Sequence, residues 1–253
     1  MPSPDDSSPA FWPKTCAYLV HLYTASGVLF AFLAAAETCA PDPDPRWVFL
    51  WLLVAVLIDA TDGPLARRFA VQRYVPRIGG RTIDELVDYL TFTFVPLLLI
   101  WRMGWVPAPA LLWIGPALVA SLFGFAHAAA KEETEGFFRG FPSYWNILAF
   151  YVGLWAAPPY APYGPWLSAV LLPALAALTV LPVHFLYPNR APRPWRPFVL
   201  GGGVLWAVLL VWMLPRYPNV APIWMIVSLV YPIFYLMLSV VLDVKREDVK
   251  RET

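Results

Sequence analysis

The sequence predicts an all-α fold: a polytopic integral membrane protein of eight transmembrane helices with both termini in the cytoplasm. Three observations carry that expectation. The 253-residue chain is 59% hydrophobic and only 14% charged, and its mean hydropathy is +0.58, more apolar than an ordinary soluble domain. The apolar residues fall into repeated runs close to the ~20 residues that cross a bilayer as a helix. The 18 Lys and Arg alternate from loop to loop as an even number of spans requires.

In chain order, residues 1–14 (MPSPDDSSPAFWPK) are polar and Pro-rich, and are expected to form a disordered tail. A full-length apolar run follows them, so they do not read as a cleavable signal peptide. Spans are expected at 15–36, 47–66, 83–101, 108–130, 143–157, 165–186, 198–214 and 221–242, the fifth of them short. Residues 15–186 then make a six-helix core, 187–243 add two further helices, and 244–253 form a charged cytoplasmic tail. With the N-terminus inside, only Arg46, Arg102 and Arg216 of the 18 basic residues fall outside. An odd count of spans would scramble that asymmetry. Tryptophans 12, 47, 51, 101, 105, 145, 166 and 195 gather near the proposed boundaries, as interfacial aromatics do. The two cysteines, Cys16 and Cys39, lie towards opposite ends of the first span, which argues against a bridge, and they match no metal-binding spacing.

The chemistry concentrates where the second span ends and the third begins. Asp59-Ala-Thr-Asp62-Gly63-Pro-Leu-Ala66-Arg67 is answered by Gly80-Arg-Thr-Ile-Asp84-Glu-Leu-Val-Asp88. Asp59 and Asp62 are three apart and Asp84 and Asp88 four apart, so each pair shares one face of a helix. Ionisable groups beside membrane-length segments mark functional sites. Two such faces brought together would form a cage of carboxylates suited to hard divalent cations, Mg²⁺ or Mn²⁺. Gly63 permits close approach to the helix, Ala66 keeps that face shallow, and Arg67 supplies a guanidinium beside the cage. Such a set suits a pyrophosphate. Helix caps or simple ion pairs would account for one aspartate pair; two pairs with this intervening pattern go beyond them.

These residues carry a resemblance. Asp59-x-x-Asp62-Gly63-x-x-Ala66-Arg67 followed by Gly80-x-x-x-Asp84-x-x-x-Asp88 resembles the signature of the CDP-alcohol phosphotransferase family, with all its residue types present. The twelve residues between Arg67 and Gly80 form a longer gap than is usual there. It is similar to the gap in the bacterial phosphatidylcholine synthase branch, as are His21-x-Tyr23-Thr24-Ala25-Ser26-Gly27 and Gly140-Phe141-Pro142-x-x-Trp145-Asn146. The resemblance implies a metal-dependent enzyme that moves the phosphatidyl group from CDP-diacylglycerol to choline and releases CMP. It implies two metal ions held by Asp59, Asp62 and Asp84, with Asp88 sharing in the site and acting as the base. Gly63, Ala66 and Gly80 would line the cytidine pocket, Arg67 would hold the donor's phosphates, and Thr24 would touch the nucleotide. It also implies a multi-pass protein of the bacterial inner membrane, a homodimer, with its site facing the cytoplasm. Membrane lipid is an expected partner; nucleic acid is not.

A quaternary ammonium cannot donate a conventional N–H hydrogen bond, so aromatic faces helped by a carboxylate are the physical means of holding it. Tyr23, Tyr89, Tyr144 and Trp145 lie near cytoplasmic ends in the expected topology, with Glu135 and Asn146 as polar candidates; packing or belt roles compete for every one of them. His21 and His184 read as interhelical hydrogen-bonding residues. Other acceptors stay open: serine, inositol, or glycerol phosphate, for which Arg190, Arg193 and Arg196 could supply a basic pocket. A cation or small-molecule transporter fits less well. The carboxylates lie at one membrane face, no charged residue falls at the midplane of spans five to eight, and no internal repeat is visible.

Overall fold

The computed structural model describes residues 11–126 and 136–252, and these are predominantly helical. Tail residues 1–10 and the acceptor candidate Glu135 lie outside the described residues. The chain forms two compact units, Met1–Pro96 and Leu97–Thr253.

In the first unit, α1 (Phe11–Thr38) begins four residues before the expected span. Phe11 and Trp12 extend its apolar surface, and Pro13 falls within the first turn, where a missing N–H breaks no helical bond. Residues 11–14 are therefore helical, where a disordered tail was expected. The second helix, α2 (Pro45–Arg68), starts with Pro at its first position, and the Asp44 side chain accepts from the Arg46 N–H at 2.9 Å. Both features favour a sharp start. α1 and α2 pack along one another. A turn through Ala70, in the left-handed region at φ 46°, leads to the single-turn α3 (Val71–Tyr74) and then to α4 (Gly80–Asp88). Ala17, Val20, Val71 and Val75 form a small core, with Leu65, Ala66, Tyr74 and Ile78 packed against it.

The third span was expected to be an uninterrupted α-helix. Instead, Asp88 is followed by a π-helical turn, Tyr89–Phe94, before α5 (Val95–Arg102). The Val95 N–H reaches back five residues to Leu90 O, and the Thr91 hydroxyl donates to Val87 O at 3.0 Å. Such turns carry no compositional signal and are frequent at functional sites.

The boundary between the units falls within α5. The second unit continues with α6 (Leu111–Ala126), α7 (Trp145–Trp155), α8 (Gly164–Val180), α9 (Arg196–Met213) and α10 (Pro222–Glu252). The purely α expectation needs one correction. β1 (Phe137–Arg139) and β2 (His184–Leu186) pair as an antiparallel ribbon, with Phe138 opposite Phe185. The sixth span, expected to reach residue 186, stops at Val180 because Pro182 forces the residue before it out of the helical region; Leu181 has ψ 150°. The ribbon is tied to α10. The Tyr235 hydroxyl donates to Leu186 O, the Leu186 N–H donates to Ser239 Oγ, and Asp243 lies 2.9 Å from Arg246 and 3.4 Å from His184. Helicity in α10 runs on past Asp243 through the charged segment.

Among the described residues, four helical stretches are long and apolar enough to cross a membrane: Phe11–Thr38, Pro45–Arg68, Arg196–Arg216 and Pro222–Val244. α6, α7 and α8 are shorter apolar helices. Leucines, valines and aromatics on α9 and α10 stand heavily exposed, as a lipid-facing surface would.

Candidate active site

The first unit builds the site from its own helices. Asp59 projects from α2, and Asp84 and Asp88 from successive turns of α4. One carboxylate oxygen of each comes within 4.8 Å of the others, and all three residues are half-buried. Negative charges this close repel one another, an arrangement that nearby cations relieve. The donor set is all carboxylate oxygen, which fits Mg²⁺ or Mn²⁺ and disfavours softer metals. Asp62, one turn beyond Asp59 on α2, is more deeply buried at 8% exposure and is not part of that trio in this structure.

α2 is weakened where the site needs it. Pro64 lies inside the helix, and without an N–H it leaves the fourth carbonyl before it, that of Ala60, unpaired within the helix. Arg67 is exposed and folds back over Gly63. A Cβ added at Gly63 would stand 3.4 Å from the Arg67 guanidinium. Ala66 packs against the small core beneath α1 and α3.

α1 supplies a third wall. A Cβ added at Gly27 would meet Val87 Cγ1 at 2.6 Å, and one added at Gly80 would meet His21 Cε1 at 2.8 Å. Residue 21 therefore lies against 80 and residue 27 against 87, so α1 and α4 run parallel, with glycine at each near contact. Thr24, midway along that register, is buried, and its hydroxyl donates to Val20 O at 3.3 Å.

Tyr23 also reaches the motif. Its hydroxyl lies 2.8 Å from Thr61 Oγ1, between Asp59 and Asp62 in sequence. Thr61 has one hydroxyl proton, and Leu57 O at 2.7 Å takes it, which leaves Tyr23 as the donor. Sequence reasoning overlooked Thr61, because a hydroxyl in an apolar helix ordinarily bonds only to its own backbone. Tyr89 opens the π turn directly after Asp88 and is half-buried.

The remaining acceptor candidates lie in the second unit. Trp145 is fully buried. Its indole N–H donates to Ser121 Oγ at 2.6 Å, and Phe141 packs edge-on against its ring. That is a packing role. Ser143, at φ 56°, donates to the same Ser121 oxygen at 3.0 Å. Asn146 Oδ1 accepts from the Ile147 N–H at 2.9 Å. Tyr144 precedes α7 at its N-cap.

Asp59 of α2 converging with Asp84 and Asp88 of α4, with the full aspartate–glycine–arginine signature around them, defines a class. The chain belongs to the CDP-alcohol phosphatidyltransferase family, whose model matches residues 16–181. Among its relatives is the phosphatidylcholine synthase of Pseudomonas aeruginosa, 35% identical over 83% of this chain and 84% of the relative. The phosphatidylcholine synthase of Bradyrhizobium diazoefficiens is 38% identical over 83% and 75%. That of Rhizobium meliloti is 34% identical over 87% of each.

Proposed function

We propose that this protein is a phosphatidylcholine synthase that transfers the phosphatidyl group from CDP-diacylglycerol to choline and releases CMP. The observation that carries the reading is the convergence of Asp59, Asp84 and Asp88 within a signature whose curated relatives bear that name. Asp59, Asp62 and Asp84 would hold two divalent ions, with Asp88 sharing in the site. Bound there, Mg²⁺ or Mn²⁺ supplies Lewis-acid neutralisation of the donor's phosphates. Arg67, folded over Gly63, swings to those phosphates, and Gly63, Ala66, Gly80 and Thr24 shape the nucleotide pocket.

The choline hydroxyl oxygen bonds to the phosphorus that carries diacylglycerol, the bond from that phosphorus to the CMP oxygen breaks, and Asp88 takes the hydroxyl proton. Tyr23, fixed by Thr61, and Tyr89 present aromatic faces to the trimethylammonium group. Eight spans with both termini inside put the site at the cytoplasmic face of a bacterial inner membrane, where CDP-linked lipid and soluble choline meet. The basic-residue asymmetry supports this topology, and so does the parallel run of α1 and α4, which enter from one side. The protein works as a homodimer.

Purified protein in mixed micelles with Mn²⁺ and CDP-diacylglycerol, offered choline, serine, inositol or glycerol phosphate separately, tests the reading. CMP release with choline alone is expected. Release with another alcohol would move the acceptor assignment, and no release with any would sink the enzyme itself. Asp88→Asn should abolish turnover while leaving CDP-diacylglycerol binding largely intact.

A further inference from the structure

His21 is 8% exposed, and its Nε2 is buried with no hydrogen-bond partner. Read from sequence it was an interhelical hydrogen-bonding residue, yet this nitrogen makes no such bond. Buried polar atoms left unpaired are destabilising and rare, and each calls for a reason. The imidazole lies against the first residue of α4: a Cβ on Gly80 would stand 2.8 Å from Cε1 and 4.0 Å from Nε2. Any larger residue at position 80 would displace the ring.

On α4, Gly80, Asp84 and Asp88 share one face at successive turns. Asp84 therefore stands about 6 Å along the helix axis from Gly80, and Asp88 about 12 Å. A ligand whose phosphates sit at the carboxylates extends its nucleoside along this face towards Gly80. Choline does not fit that end of the site. Its ammonium offers no hydrogen-bond donor or acceptor, and its hydroxyl must reach Asp88. Of the donor's polar parts, the phosphates sit at the carboxylates and the ester carbonyls stay with the acyl chains, which leaves the cytidine for His21.

We propose that His21 is a positioning residue whose Nε2 hydrogen-bonds the cytidine portion of the CDP-linked donor, with Gly80 keeping the space for its ring. The proposal rests on the CDP-diacylglycerol reading above. A neutral imidazole can donate or accept at Nε2 according to its tautomer, so the amide of Gln, which reaches a similar position, should substitute for it, whereas Leu fills the space without the bond.

The test compares full-length wild type, His21→Leu and His21→Gln in detergent with Mn²⁺. CMP binding is measured by titration calorimetry, and kcat and KM are measured for CDP-diacylglycerol and for choline. His21→Leu should weaken CMP binding and raise KM for CDP-diacylglycerol about tenfold, leaving kcat and the choline KM within about threefold, and His21→Gln should restore most of the loss. Wild-type-like CMP binding by His21→Leu overturns the assignment, as does equal impairment in both variants. Wild-type protein that binds no CMP overturns the donor reading, and the His21 assignment with it.

Discussion

Gly27→Ala tests whether α1 sets the geometry of a site to which it contributes no carboxylate. The new methyl would stand 2.6 Å from Val87 Cγ1, whereas two carbons need about 3.5 Å, so roughly 0.9 Å must be found. Val87 is buried and β-branched, so its side chain has few rotamers into which to retreat. The helices must part instead, and Val87 neighbours Asp88. Overpacking of this kind costs about 1–3 kcal/mol of stability. A displacement near 1 Å at a reacting group lowers turnover by as much as ~100-fold. The expected outcome is folded protein whose kcat falls about 10- to 100-fold. Val87→Ala in the same chain removes the obstructing methyl and should recover most of that loss, although alone it leaves a small cavity. CMP release in mixed micelles measures all three variants. Wild-type turnover in Gly27→Ala, or no recovery in the double variant, would refute the claim that this contact positions Asp88.

Tyr23→Phe removes the hydroxyl that anchors the ring to Thr61; it should raise the choline KM about fivefold, the worth of roughly 1 kcal/mol, with the CDP-diacylglycerol KM unchanged. Gly140→Ala places a methyl against Thr179 O at a residue with φ +85°, and should cost about 3 kcal/mol, read as a large loss of folded protein on size exclusion. The Asp44 carboxyl is held below the usual carboxylate range chiefly by the Arg46 side chain, against opposing desolvation. A depressed folded-state value means stability that is present above the unfolded pKa and lost as pH falls through the folded one. Asp44→Ala should therefore lower stability by about 1 kcal/mol at neutral pH, and thermal unfolding should show the gap closing below about pH 4.

The carboxylate trio was legible in the sequence because helical spacing alone puts Asp84 and Asp88 on one face, and because the apolar background makes every charge informative. The helix order was legible for the same reason: runs of apolar residues have few other structures open to them. What escaped was whatever lacks a compositional mark. The ribbon escaped because Phe185 and Leu186 prolong the apolar run of the helix before them, and only Pro182 signalled the break. Trp145 read as a candidate cage wall until its buried ring and its bond to Ser121 gave it a packing role. The orphan nitrogen of His21 and the partner of Tyr23 depend on which turns face each other across α1, α2 and α4, a matter of register that one-dimensional spacing does not contain.

The π turn after Asp88 bears on how this segment can vary. Losing one residue between Tyr89 and Phe94 would restore an unbroken α-helix with better internal hydrogen bonding. The same deletion would leave Val95 and the residues after it at nearly the same angle to Asp84 and Asp88, because the bond from Val95 back to Leu90 would simply become an ordinary α-helical one. Hydropathy and helical content would register almost nothing. The irregular turn is therefore a local device: it absorbs one residue next to Asp88 without passing a change of register to α5, so its loss would be felt in the placing of Tyr89 and its neighbours and not in the helix beyond them.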